Sequence, residues 1–323
     1  MEGAVLVLEI APHAVEMDRM VHHRIVDQHD PNTLSVGQLQ RLSLGEFDPV
    51  ECPGKFLHVP GQVQLHFAAG LAAVGVVEQG PDDLLGRRTF CLYPHQDRYV
   101  VPVDALTVIP DDVPSRRAVL AGPVETALNA LWDAPPCIGD RIAVIGGGMI
   151  GASLAVLLSR FPLGRLQLVD TDPVKRDMAR AMGIEAVEPE ALQAECDIIY
   201  HASTTEAGLA QGLERLGDEG ELVELSWFGS HVPAVPLGTS FHARRLRITA
   251  SQVSTIGRAR RYRRTHAARM DLVMHMLQDP VFDALISGES GFADLPGAIA
   301  GLAQGELPTL CRAIRYPDPG PRG

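Results

Sequence analysis

The chain has 323 residues, with 40 Asp and Glu against 28 Lys and Arg, for a formal net charge of −12. So acidic a surface repels phosphates and argues against nucleic acid as a partner, and aromatic residues, at 5%, are too sparse for base-stacking platforms. No apolar run approaches the roughly 20 residues that span a bilayer, so no membrane partner is expected either.

A chain of this length with 46% hydrophobic residues predicts a globular protein of two domains, or of one with a substantial extension. The N-terminal stretch lacks the basic start and small-residue cleavage site of a signal peptide, which points to a cytoplasmic address. Cys52, Cys91, Cys137, Cys196 and Cys311 are scattered and form no CxxC pair, as expected of reduced thiols outside any metal cluster.

Residues 1–118 are rich in His and Pro, with short β-like runs at 4–10, 72–77, 88–93 and 98–103. Gly and Pro punctuate them, the signature of an irregular antiparallel β domain. Residues 115–132 read as helical. From about position 123 strands and helices alternate, which predicts a parallel sheet covered on both faces. Strands are expected at 140–145, 166–169, 196–200, 221–225 and 246–251. Helices are expected at 151–161, 173–182 (closed by Gly183) and 207–216. A long helix over 258–277 with a basic start, a short helix and a strand at 310–316 complete the reading.

The sharpest motif is Ile145-Gly-Gly-Gly-Met-Ile-Gly151, in which Gly146, Gly148 and Gly151 stand in G-x-G-x-x-G register. It follows an apolar strand and opens a helix, and a second strand ends in Asp170 about 20 residues on. Gly146 permits the tight turn, Gly148 lets backbone approach a pyrophosphate, and Gly151 allows close helix–strand packing. The helix N-terminus, at Met149 and Ile150, offers unpaired N–H groups and a positive dipole end to phosphate. Asp170 is placed to accept hydrogen bonds from the adenosine ribose and to repel a 2′-phosphate, so NAD is the expected cofactor. Lys175 reads equally as a ribose or adenine contact and as a solvated helix residue. The whole predicts an α/β fold, a Rossmann doubly wound parallel sheet around residues 140–253 beside the irregular β-rich domain.

This layout resembles the medium-chain dehydrogenase/reductase superfamily, the zinc-type alcohol dehydrogenases and their relatives. The resemblance is carried by Ala72-Ala-Val-Gly-Val-Val-Glu78, Gly86-Arg-Arg-Thr-Phe-Cys91, Tyr99-Val-Val-Pro102, Ala127-Leu-Asn-Ala130 and the cofactor motif. It implies a GroES-like catalytic domain from 1–121 completed by a return segment at 254–323, a cofactor domain at 122–253, and an active site in the cleft. It also implies a homodimer formed through the last Rossmann strand, near 246–253. The chain departs from the family at the metal. Leu71 stands where a Gly-His-Glu supplies a zinc ligand, 32–37 has no Cys, and the four structural-zinc cysteines are missing. Zinc needs three or four N, S or O ligands, so no metal is expected.

Without zinc, hydride transfer needs another proton donor or acceptor. His95 is the first candidate, in Cys91-Leu-Tyr-Pro-His-Gln96, with Tyr93 and Gln96 to orient substrate; a structural loop histidine is the plainer alternative. Glu125, charged in an apolar helix, is a second candidate beside the reading of a satisfied helix residue. Loops at the carboxyl ends of the parallel strands face the cofactor and contain His201, Ser203, Ser226, Trp227, Ser251 and Gln252. Arg258, Arg260, Arg261, Arg263, Arg264 and His266 read either as an anion site or as a solvated basic face.

The expectation is a zinc-independent, NAD(H)-dependent oxidoreductase acting on the alcohol or carbonyl of a small polar metabolite. Enoyl or quinone reduction, a redox-neutral reaction with tightly held NAD, and a non-catalytic NAD(H)-binding protein are the alternatives.

Overall fold

The computed structural model describes residues 5–8 and 72–317, apart from positions 97, 239, 305, 308 and 309. The chain divides into two compact units, Met1–His13 with Ala68–Gly323, and Ala14–Phe67. All described residues belong to the first. The loops expected to shape a substrate pocket (11–66) and Leu71 lie outside the described residues.

In chain order, the described part begins with strands β1 (Val5–Leu8), β2 (Ala72–Val76), β3 (Arg88–Cys91) and β4 (Thr107–Val108). A single helical turn at Ser115–Ala118 leads into helix α1 (Ala121–Asp133). The alternating region follows as β5 (Arg141–Ile145), α2 (Met149–Leu158), β6 (Arg165–Val169), α3 (Pro173–Ala181) and β7 (Ala186–Val187). It continues through β8 (Cys196–His201), α4 (Glu206–Arg215), β9 (Leu216–Glu224) and β10 (Arg247–Ala250). The return segment supplies α5 (His266–Met276), β11 (Gly288–Gly291), α6 (Leu295–Ala303) and β12 (Arg312–Arg315).

The described residues form two six-stranded sheets, ordered β11-β12-β1-β2-β3-β4 and β10-β9-β8-β5-β6-β7. In the second, neighbouring strands are parallel throughout, and the order reverses beside β5. That reversal opens the crevice where α/β sheets bind ligands. In the first sheet, alternation along each strand sorts side chains to two faces. Ala72, Val74, Phe90 and Ala313 join the main core with α1 and α2, whereas Ala73, Cys91, Ile314 and Tyr316 pack with Leu295, Ile299 and Leu302 of α6. Helix α1 is buried along most of its length because it belongs to the core of both sheets.

Several boundaries differ from the sequence expectation. The strand expected at 98–103 is replaced by a 3-10 turn at Val103–Ala105, and β4 follows it. The helix expected over 258–277 begins only at His266, where Thr265 accepts a hydrogen bond from the Ala268 N–H and caps it. The arginine-rich residues precede the cap as turns. Their charges thereby stay outside the positive end of the helix dipole. Strand β9 starts at Leu216, directly after α4, through a register shift near Cys196 and Ile198 of β8. Neither β7 nor β11 is legible in the sequence; β7 is two residues long between glutamates, and β11 is Gly-Glu-Ser-Gly.

Candidate cofactor site

The glycine turn joins β5 to α2 at the crevice. Gly146 has φ +105, and a Cβ there would lie 2.7 Å from the Ala202 carbonyl carbon and from the Ser203 nitrogen. A Cβ on Gly151 would stand 1.8 Å from the Gly146 oxygen. Both positions therefore require glycine. Gly148 is the N-cap of α2, and a Cβ there meets nothing within 4 Å, so this side of the turn is open. Met149 is buried and Ile150 half-buried, with their N–H groups in the first helical turn, where no intrahelical acceptor exists. An open cradle of donors at a positive helix end fits a pyrophosphate.

Asp170 follows the end of β6. One of its oxygens accepts from the Gly147 N–H at 2.7 Å and the other from the Asp172 N–H at 2.8 Å. The carboxylate thus holds the glycine turn while each oxygen keeps a lone pair for a further donor. Lys175 Nζ lies 3.7 Å from the carboxylate. Arg176 reaches the Asp170 and Thr171 carbonyl oxygens and pairs with Glu188, so its charge is occupied.

On the other side of β5, His201 ends β8 and is wholly buried. Its Nδ1 lies 2.8 and 2.9 Å from the Glu224 carboxylate oxygens, and its Nε2 lies 2.7 Å from Ser203 Oγ. Glu224 ends β9 directly opposite His201. Ser226 N–H donates to Glu224, and Ser226 Oγ accepts from the Thr204 N–H. Thr204 adopts φ +54, a left-handed conformation that non-glycine residues rarely hold. Phe228 stacks on the imidazole at 6.2 Å between centroids. Glu224, Thr204 and Thr205 are participants that the sequence reading missed; the signal available was that His201 and Glu224 stand at the carboxyl ends of two expected parallel strands.

The remaining expected residues are placed elsewhere. Ser251 Oγ donates to Asp133 at the end of α1, and the Gln252 carbonyl accepts from Asn129. Glu125 is paired at 2.8 Å with Arg269 of α5, which is 1% exposed and also bonds Asn129 and the Val253 carbonyl. His95 is buried, with Nδ1 3.1 Å from the Tyr316 hydroxyl and Nε2 without a partner among the described residues. Burial pushes its imidazole down to about 4. Tyr93 stacks on Tyr99 at 4.3 Å. His95 and Tyr93 thus accompany the α6-covered face of the first sheet, and none of their partners belongs to the glycine turn. The arginines at 258, 260, 261, 263 and 264 form no ion pair with a carboxylate among the described residues, and Tyr262 beside them is 93% exposed. The segment leading into them touches the end of α1, where Gly257 packs on Trp132 and the Arg258 N–H donates to Asp133. Among the described residues no group of three or more His, Cys, Asp or Glu side chains could hold a metal, and no helix is long and apolar enough to cross a membrane.

No family model matches the chain. It is 30% identical over 117 residues to an L-threonine 3-dehydrogenase of Sinorhizobium fredii, a match covering 36% of this chain and 33% of the relative. The chain therefore aligns with about a third of the length of the curated relatives it matches. Among solved structures it resembles a short chain alcohol dehydrogenase from E. coli CFT073 complexed with NADH (TM-score 0.62, 16% identity, 76% of this chain and 83% of that one). It also resembles the yhdH oxidoreductase from Salmonella enterica in complex with NADP (TM-score 0.60, 17% identity, 77% and 82%). The chain thus shares the fold of these dehydrogenases over about three quarters of its length, and about a third of it also aligns in sequence with a dehydrogenase.

Proposed function

We propose that the chain is an NAD(H)-dependent oxidoreductase that moves a hydride between the nicotinamide and an alcohol or carbonyl carbon of a small polar metabolite. The observation that carries this reading is the glycine turn braced by Asp170, with its open helix end. Hydride exchange at C4 is the chemistry the dinucleotide supplies when bound. The residues of the chain bind it: the turn and the first N–H groups of α2 hold pyrophosphate, and Asp170 accepts from the adenosine ribose. A 2′-phosphate would meet the same carboxylate and be repelled, which favours NAD over NADP. Lys175 flanks that ribose.

The reaction is read as zinc-independent because Leu71 replaces a family ligand and 32–37 has no Cys. His95 remains the proposed proton acceptor, since its neutral Nε2, without a partner among the described residues, can take a proton from an alcohol; Tyr93 accompanies it. Glu125 is instead assigned to the scaffold, its charge being held by Arg269. A cytoplasmic address accords with the dispersed cysteines. The division at 121 and 253 accords with the two sheets.

Calorimetric titration with NADH and NADPH tests the cofactor. NADH binding with much weaker NADPH binding is expected. Asp170→Asn should weaken NADH by about ten- to a hundredfold, the range for losing hydrogen bonds to a charged acceptor. A wild-type preference for NADPH would instead promote the enoyl or quinone reductase reading, and binding of neither nucleotide would remove the cofactor altogether.

A further inference from the structure

The hydrogen bonds around His201 run in one direction. The Glu224 carboxylate accepts from the Ser226 N–H, and it faces Nδ1 with both oxygens, so Nδ1 carries the imidazole proton. In the neutral imidazole Nε2 is then an acceptor, and Ser203, 2.7 Å away, donates its only proton to it. Thr205 Oγ1 accepts from the Gly208 N–H at the start of α4, and its own hydroxyl proton is free to donate to Ser203 Oγ, 2.7 Å away. Ser203 is left with one lone pair and no proton to offer. A Cβ on Gly208 would strike Ser203 Oγ at 2.5 Å, Thr205 Oγ1 at 2.8 Å and His201 Nε2 at 2.9 Å, so this chain of bonds exists only beside a glycine.

Position decides what that lone pair meets. Ser203 is half-buried, and its backbone nitrogen abuts Gly146 of the cofactor turn. Strand order puts Asp170 on the β6 side of β5 and Ser203 on the β8 side. A dinucleotide crossing the crevice at β5 has one nucleoside on each side. With the adenosine ribose at Asp170, the other sugar lies toward Ser203. A phosphate, which only accepts hydrogen bonds, gains nothing from a lone pair; a ribose hydroxyl does.

We propose that Ser203 accepts a hydrogen bond from the nicotinamide ribose, and that His201, held by Glu224, is the positioning residue that fixes Ser203 as an acceptor. The inference rests on the dinucleotide reading above. It is tested by titrating wild type, Ser203→Ala, Glu224→Ala, Glu224→Gln and Asp170→Asn with NADH and with ADP, which lacks the nicotinamide ribose. Thermal unfolding is followed alongside.

Ser203→Ala is expected to weaken NADH about five- to tenfold and leave ADP within twofold of wild type. Glu224→Ala should do the same, and Glu224→Gln, which keeps an oxygen for Nδ1–H, should restore most of the loss. Asp170→Asn should weaken both ligands. Ser203→Ala with unchanged NADH binding, or with NADH and ADP weakened equally, overturns the inference and leaves the dinucleotide reading standing. Wild type that binds neither ligand overturns both.

Discussion

His95 illustrates how a single buried imidazole couples the fold to pH. Its environment disfavours the charged form, so the folded value of about 4 lies below the ordinary 6.5. Between these values the unfolded chain binds more protons than the folded one. The stabilising contribution is therefore complete above about pH 6.5 and is lost as pH falls toward 4. For His95 this amounts to about 3 kcal/mol. His95→Gln, which keeps a partner for the Tyr316 hydroxyl, should flatten the fall in urea-unfolding stability between pH 7 and pH 4.5. An unchanged slope would assign the acid sensitivity to another group. At this scale the sequence is a good guide only where chemistry is local. Gly146, Gly151 and Asp170 announce themselves because a turn and its flanking strands set their roles within a few residues. The burial of His95 depends on Tyr316, far along the chain, and no local pattern signals it.

Helix α1 owes its place to partners contributed by distant elements. Arg269 of α5 reaches Glu125, Asn129 and the Val253 carbonyl, tying α5 and the segment after β10 to one helix. Removing one member of a buried pair strands the other charge without water. Arg269→Met should accordingly cost about 3–5 kcal/mol in chemical denaturation. The double variant with Glu125→Leu should recover a large part of that loss, because both charges leave together. A double variant as unstable as the single one would show that Arg269 acts through its other contacts. The sequence marks Glu125 as unusual in an apolar helix but cannot identify its partner, which lies on another helix. The start of α5 has a similar cause. Thr265 is a good N-cap in isolation, yet the residues before it read equally as helix, and the close approach of Gly257 to Trp132 is a contact that no local pattern signals.

In the whole molecule, the parallel sheet ends at β10, whose outer edge has no strand partner among the described residues. Ile248 on that strand is 40% exposed, and Val232, Val235 and Leu237 are exposed in the segment before it. An uncovered edge with apolar neighbours favours pairing with a second copy about a twofold axis. Ile248→Arg should shift the protein from dimer to monomer in light scattering, while wild type that is already monomeric at micromolar concentration would dismiss the edge as an interface.

The first sheet carries a different consequence. Strand β1 lies between β2 and β12, so its two neighbours come from opposite ends of the described chain. All strands of the second sheet fall between Arg141 and Ala250. As the polypeptide leaves the ribosome, the half built on the second sheet can fold on its own short-range contacts. One flank of β1 waits until roughly 300 further residues have been made, a closure whose entropy must be met before the pairing rewards it. Through most of synthesis the molecule therefore has a finished half and an open seam, and translation of the last strand shuts it.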